Sequence, residues 1–359
     1  MKQPPEGKIV LKAILTDPHG EEGLLKRTNL IKFILSLLLA ALAGMCLSGC
    51  GISLGNLFLN QSSWTPPELN PTVQPASLAK SQKLSVVTST TILGDVISNL
   101  GGNRIDLVVL MKKGIDPHSY TPTPRDMAAI YDADVVFLNG AGLEQNMYKA
   151  IGNASGDAPI VQVSIGIPLR SLNDPSTNGA STGHTVEDPH VWFSVPNVLH
   201  WVDVITENLS ALDPQNSTFY QANAASYRGQ LKGLDDWIVS QVALIPVQNR
   251  KLITNHPVFG YFAERYGLEQ LGAVYPINPS AEPSARDISA LENAIREYKV
   301  PAVFTEDTVN PRLADQVAGD TGVKLAEVYT GSLGAPGSGA DTYIGMVETD
   351  VNIIVSALR

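Results

Sequence analysis

Residues 215–245 read QNSTFYQANAASYRGQLKGLDDWIVSQVALI. Apolar side chains recur at Tyr220, Ala224, Tyr227, Leu231, Leu234, Ile238, Val242 and Ile245. Intervals of three and four make one stripe of an α-helix. At 1.5 Å per residue, a helix of about 30 residues reaches roughly 45 Å, more than one small lobe needs. The stretch therefore reads as a stiff connector, and the pattern on its two sides decides what it connects.

Before the connector, short β-branched runs alternate with helical ones. Leu84–Thr88, Ile105–Leu110, Asp134–Leu138 and Ile160–Val163 read as strands. Thr91–Leu100, Arg125–Tyr131 and Glu144–Gly152 read as helices, and a further helix from Pro196 to Leu212 leads into the connector. After Pro246 the alternation restarts. Strands are expected at Lys251–Thr254, Leu271–Tyr275, Ala302–Thr305 and Val323–Val328, and helices at Gly260–Tyr266, Ala285–Tyr298, Pro311–Thr321 and Thr342–Leu358. Short buried strands alternating with helices predict parallel sheets covered on both faces. The expected fold is α/β, with two lobes, each a four-stranded parallel sheet with flanking helices, joined by one long rigid helix. The expected boundaries are 84–212 for the first lobe, 213–246 for the connecting helix and 247–359 for the second. In open parallel sheets, ligands bind beyond the carboxyl ends of the strands, so the loops at those ends carry the search for function.

The first 83 residues have another character. An apolar run at 30–44 follows Lys26 and Arg27 and ends in Leu47-Ser48-Gly49-Cys50. That is the layout of a secretory signal, too short for a spanning helix, closing on a lipobox. Residues 1–49 read as a signal peptide and Cys50 as the lipidation site. Residues 50–83, rich in Asn, Ser and Pro, read as a flexible tether. The signal carries six Lys/Arg and four Asp/Glu, so the net charge of −10 becomes more negative on its removal. Such a surface excludes a nucleic-acid partner. Cys46 leaves with the signal and Cys50 takes lipid, so no thiolate site or disulfide remains.

Two stretches of the first lobe share a tripeptide: Asp116-Pro117-His118 and Asp188-Pro189-His190. Proline fixes its own backbone angle and keeps the preceding Asp out of helical geometry, so each histidine sits on a loop. A third copy, Asp17-Pro18-His19, falls in the signal. In the second lobe, His256 lies in Thr254-Asn255-His256-Pro257, again past a strand end. A metal held between lobes needs ligands from both, and three imidazoles with one carboxylate close a tetrahedral shell. Glu306, Asp307 and Asp341 are the carboxylates on offer, and Asp341 has a rival role as N-cap of the last helix. His184 stands alone in the polar segment 171–187. His200 follows the first turn of a helix and reads as solvated. Tyr120 and Trp192 read as packing residues beside the ligands.

The ordered set Gly114–Pro124, Asp188–Phe193, Asn255–Gly267, Ala281–Ser284 and Asp341–Met346 resembles the metal-binding solute receptors of ABC transporters, in their zinc/manganese group. The resemblance runs from Leu84 to the end of the chain. It implies His118, His190, His256 and Asp341 as the four ligands, with the metal in the cleft between lobes. It implies a lipid-anchored, extracytoplasmic receptor that delivers the ion to a membrane permease with its ATPase. A monomer is expected. Three imidazoles and one carboxylate favour Zn²⁺ over Mn²⁺, which prefers more oxygen. A closed shell leaves no coordination position for a substrate, which argues against an enzyme. A surface adhesin with a structural metal and a secreted metallohydrolase are the alternatives. With a stiff connector, small tilts and loop motion are expected rather than wide hinge closure.

Overall fold

In the computed structural model, residues 71–79, 81–173, 185–275 and 283–359 are described. The signal peptide, Cys50, most of the tether, His184 and the Ala281-Glu282 pair lie outside them.

The first sheet consists of β1 (Leu84–Thr88), β2 (Ile105–Val109), β3 (Val135–Leu138) and β4 (Ile160–Gln162). All pairs are parallel, in the order β2-β1-β3-β4. Helices α1 (Thr91–Gly101), α2 (Pro124–Tyr131) and α3 (Tyr148–Ala154) fill the crossovers. A short antiparallel hairpin, β5 (Ser171–Asn173) with β6 (Thr185–Glu187), follows. Then come α4 (Val195–Leu212) and the long α5 (Ser217–Val242). The second sheet has β7 (Lys251–Thr254), β8 (Glu269–Ala273), β9 (Ala302–Glu306) and β10 (Lys324–Val328), again all parallel, in the order β8-β7-β9-β10. Its helices are α6 (Gly260–Tyr266), α7 (Ala285–Tyr298), α8 (Arg312–Thr321) and α9 (Tyr343–Leu358). Numbered within each lobe, both sheets run second, first, third, fourth. The crossover direction therefore reverses between β1 and β3, and between β7 and β9. Those are the switch points where open sheets bind ligands.

Strand alternation divides the core. Leu84, Val86, Val135 and Phe137 point to one side of the first sheet, as Leu252, Ala302 and Phe304 do in the second, and all belong to one continuous core. Val87, Val136 and Leu138 point the other way, under α2 and α3, and Ile253 and Val303 lie under α7 and α8. This is the period-two rule of a sheet buried on both faces. Helix α5 spans 26 residues, about 39 Å. Its buried residues are Tyr220, Ala224, Tyr227, Leu231, Leu234, Ile238 and Val242, the predicted stripe except for Ile245, which is buried just past the helix end. It packs along α4 and touches α1 of the first lobe and α9 of the second.

Three differences from the sequence reading have local causes. Helix α3 starts at Tyr148 rather than Glu144. Positive φ angles at Gly140, Ala141 and Gly142 make residues 140–142 a tight turn. The buried Glu144 carboxylate folds back to accept the N–H groups of Asn139 and Gly140 and the Ser89 hydroxyl. Strand β8 begins two residues before the expected Leu271, with a register shift opposite Leu252 and Ile253. The ends of the segment read as polar and flexible pair with each other as β5 and β6.

Candidate metal centre

The His118 loop leaves the end of β2. The carboxylate of Asp116 accepts the His118 N–H at 2.9 Å. Tyr120 fastens the far side, donating to the Leu110 carbonyl and to Asp126. Asp126 also closes a capping box with Thr123 that starts α2. The His190 loop repeats the first device: Asp188 Oδ1 accepts the His190 N–H at 3.0 Å. The shared tripeptide thus has a physical meaning. Proline holds the Asp extended, and the Asp side chain catches the backbone of the histidine two residues on.

Asp188 does more, because Oδ1 also takes His190 Nδ1 at 2.8 Å. His256, at the end of β7, has no preceding Asp. Glu306, the last residue of the neighbouring β9, plays both parts, with Oε1 2.9 Å from the His256 nitrogen and 2.8 Å from Nδ1. Its Oε2 accepts the Thr330 hydroxyl at 2.6 Å. The pair therefore sits at the switch point of the second sheet.

These bonds fix the tautomers. A carboxylate only accepts, so Nδ1 carries the proton in His190 and His256, and each neutral ring presents a bare lone pair at Nε2. Those lone pairs face each other. His190 Nε2 lies 3.1 Å from His118 Nε2 and 3.1 Å from His256 Nε2. The ligand atoms of all three rings fall within 4.8 Å of one another. Three nitrogens held at about 2.05 Å around a tetrahedral ion stand about 3.3 Å apart. The two 3.1 Å spacings lie close to that requirement, and a cation between the rings would turn lone-pair repulsion into coordination. Asp116, Pro117, Trp192, Val258, Thr308, Thr330 and Gly331 close around the rings and leave no open space the size of a water molecule. An organic substrate does not fit there. A larger cleft, about 690 Å³, opens beside residues 71–76 and the starts of β3 and β4. It contains no histidine and lies at the opposite edge of the sheet.

Burial lowers the pKa of His118 well below that of free histidine, and the neighbouring His190 and His256 push it further. Burial also lowers that of His190, against the opposing pull of Asp188. At His256 burial works the same way, but the charge and hydrogen bond of Glu306 outweigh it and the pKa rises. Glu306, despite its burial, is held below the usual carboxylate range by His256 and Thr330. The site thus keeps two neutral imidazoles and one that a proton contests.

Asp341 stands apart from this cluster. Its Oδ2 accepts the Gly337 N–H at 2.8 Å in an exposed loop, and that bond holds its pKa low. It is not the N-cap of α9 either; Thr342 accepts the Gly345 N–H in that role. His200 is half-buried rather than solvated, its Nε2 2.7 Å from the Ile165 carbonyl. Trp192 packs edge-on against His190 and donates to the Thr330 carbonyl of the second lobe. The orienting roles of Asp188 and Glu306 went unread in the sequence. A carboxylate ending the strand beside β7 was the available signal for Glu306.

The family model described as zinc-uptake complex component A, periplasmic, matches residues 86–357. This chain belongs to that family. Among curated proteins, this chain is 38% identical over 276 residues to the manganese-binding lipoprotein MntA of Halalkalibacterium halodurans, covering 77% of this chain and 88% of that protein. It is 31% identical over 284 residues to the manganese ABC transporter substrate-binding lipoprotein PsaA of Streptococcus pneumoniae serotype 4, covering 77% of this chain and 90% of that one. Among solved structures it is similar to the periplasmic zinc-binding protein TroA from Treponema pallidum, with a TM-score of 0.71 and 30% identity over 77% of this chain and 99% of that chain. Members of the family are substrate-binding receptors of ABC transporters, not enzymes.

Proposed function

We propose that this chain is the lipid-anchored, extracytoplasmic receptor of an ABC importer, and that it captures a divalent transition metal on His118, His190 and His256 for delivery to a permease with its ATPase. The observation that carries the reading is the pair of 3.1 Å contacts that gather three imidazole Nε2 atoms, with two of the rings held at Nδ1 by buried carboxylates. Lipidation at Cys50 is supported by the lipobox and by relatives named as lipoproteins.

Asp341 is the proposed fourth ligand. Glu306 has its oxygens engaged by His256 and Thr330, whereas Asp341 is held by a single exposed amide. Releasing Gly337 lets the loop before α9 bring the carboxylate to the ion. Zn²⁺ is the preferred cargo, because a shell of three nitrogens and one oxygen suits it, and Mn²⁺ follows. Relatives named for manganese and for zinc support keeping both ions in view.

The test is competitive titration of the purified protein with Zn²⁺ and Mn²⁺. His118→Ala and His256→Ala are expected to weaken Zn²⁺ at least 100-fold, and Asp341→Ala less. If either histidine variant binds as tightly as the parent, the shared site is refuted.

A further inference from the structure

One buried group at the centre is only half used. Asp188 is fully buried, and both of its hydrogen bonds to His190 go to Oδ1. Oδ2 has no hydrogen-bond partner among the described residues. Facing it at 3.8 Å is Nε of Arg170, an atom that is buried and has no hydrogen-bond partner among the described residues. Arg170 immediately precedes β5, and its carbonyl accepts the Asp188 N–H at 2.8 Å, so the two are paired by the base of the hairpin.

The same arginine reaches the other lobe. Its Nη1 bonds Glu264 on α6, the helix that begins four residues after His256. Tyr261 of that helix accepts the Arg170 N–H at 3.0 Å and donates to the Asp188 carbonyl at 2.8 Å. Gly260 permits this closeness: a Cβ there would lie 2.7 Å from Arg170 Nε and 2.9 Å from Asp188 Oδ2.

We propose that Arg170 is a positioning residue of the metal centre, clamping Asp188 from behind so that Oδ1 stays on His190, and tying that clamp through Glu264 to the helix that follows His256. The inference rests on the metal-receptor reading above. A buried carboxylate with one unbonded oxygen rotates or draws in water unless a cation holds it. Rotation about χ2 would break the contact to Nδ1 and let the imidazole swing. The guanidinium suits the task because one rigid planar group faces Asp188 through Nε and Glu264 through Nη1, a fixed geometry that a flexible lysine ammonium lacks. Paired with Glu264 at the surface, it adds little net charge near the ion.

Removing an outer partner of a metal-bound histidine typically costs about 10–100-fold in affinity. Arg170 acts one layer further out, so Arg170→Ala is expected to weaken Zn²⁺ about threefold to tenfold. The experiment measures Zn²⁺ affinity against a chromogenic chelator for the parent, R170A, R170K, D188N, R170A/D188N and H256A, with melting curves to establish folding. R170K is expected to recover part of the loss. On the D188N background, R170A is expected to add less than twofold, which a merely structural arginine would not reproduce. R170A or R170K at parent affinity, or an R170A penalty undiminished on D188N, overturns the inference while H256A still upholds the site. If R170A does not fold, R170K and D188N decide. A parent that binds no Zn²⁺, or an H256A that binds like the parent, overturns the site and the inference with it.

Discussion

Glu306→Gln isolates what the carboxylate behind His256 contributes. Glutamine keeps the shape and one acceptor oxygen, which can still meet the His256 nitrogen and Nδ1, now 2.9 and 2.8 Å from Oε1. The contact to the Thr330 hydroxyl survives if that hydroxyl turns from donor to acceptor. What disappears is the charge. The imidazole becomes a poorer donor to the metal, by about 10–100-fold in affinity, or ~1.4–2.7 kcal/mol. The charge also holds His256 above the ordinary histidine pKa, and without it burial is opposed only by the weaker pull of Asp116 and Asp188, so the pKa falls. Protons compete with metal only where the folded site binds them. In the parent, affinity should therefore begin to drop as pH falls through the raised His256 value, above about 6.5. In the variant the drop should begin at lower pH. Isothermal titration with Zn²⁺ from pH 8 to pH 5.5 separates the two effects: the variant binds more weakly at pH 8, with a shallower loss down to pH 6. An E306Q protein with parent affinity, or with weaker binding and an unchanged pH profile, would refute the assignment.

Metal-dependent stabilisation should grow with pH. In the metal-free protein the raised His256 contributes stability fully below the unfolded value near 6.5 and loses it as pH rises through its folded value. The lowered Glu306 contributes above its unfolded value near 4.5 and loses it as pH falls through its folded one. Their ion pair thus favours the metal-free form most between about 4.5 and 6.5, and the Tm gain on saturating Zn²⁺ should be larger at pH 8 than at pH 6 by calorimetry. Gly260→Ala should weaken Zn²⁺ several-fold, because its Cβ meets Arg170 and Asp188 below 3.0 Å; unchanged binding would show that the clamp yields without effect. Leu231→Ala, at a fully buried position on α5, should cost about 2–5 kcal/mol of stability in urea unfolding. A cost under 1 kcal/mol would mean that the connector is not part of the core.

The fold was legible where a pattern is local. The stripe on α5 and the strand-helix alternation need only neighbouring residues, and His118, His190 and His256 stood out as loop histidines, the first and last of them past strand ends. What stayed hidden depends on residues far apart in the chain. Glu306 reaches His256 because β9 lies beside β7, a neighbourhood set by crossover order. The pairing of Ser171–Asn173 with Thr185–Glu187 involves three residues on each side, too few for a period to show. Glu144 looked like the start of a helix because side-chain capping of a preceding turn leaves no mark in hydrophobic spacing.

The continuous core under both sheets has a consequence for traffic at the membrane. Phe137 of the first sheet and Phe304 of the second belong to one apolar body, together with Tyr220 and Leu231 of the connector. Swinging the lobes apart would expose that body to water at roughly 25 cal/mol per Å². Loading can therefore alter little beyond the loops that carry the ligands. In that proposed role, an empty receptor would offer a permease almost the same outline as a full one. For the receptor proposed above, unloaded copies would then compete with loaded ones for the permease unless something tells them apart. Discrimination between full and empty must come from the few residues at the mouth of the site.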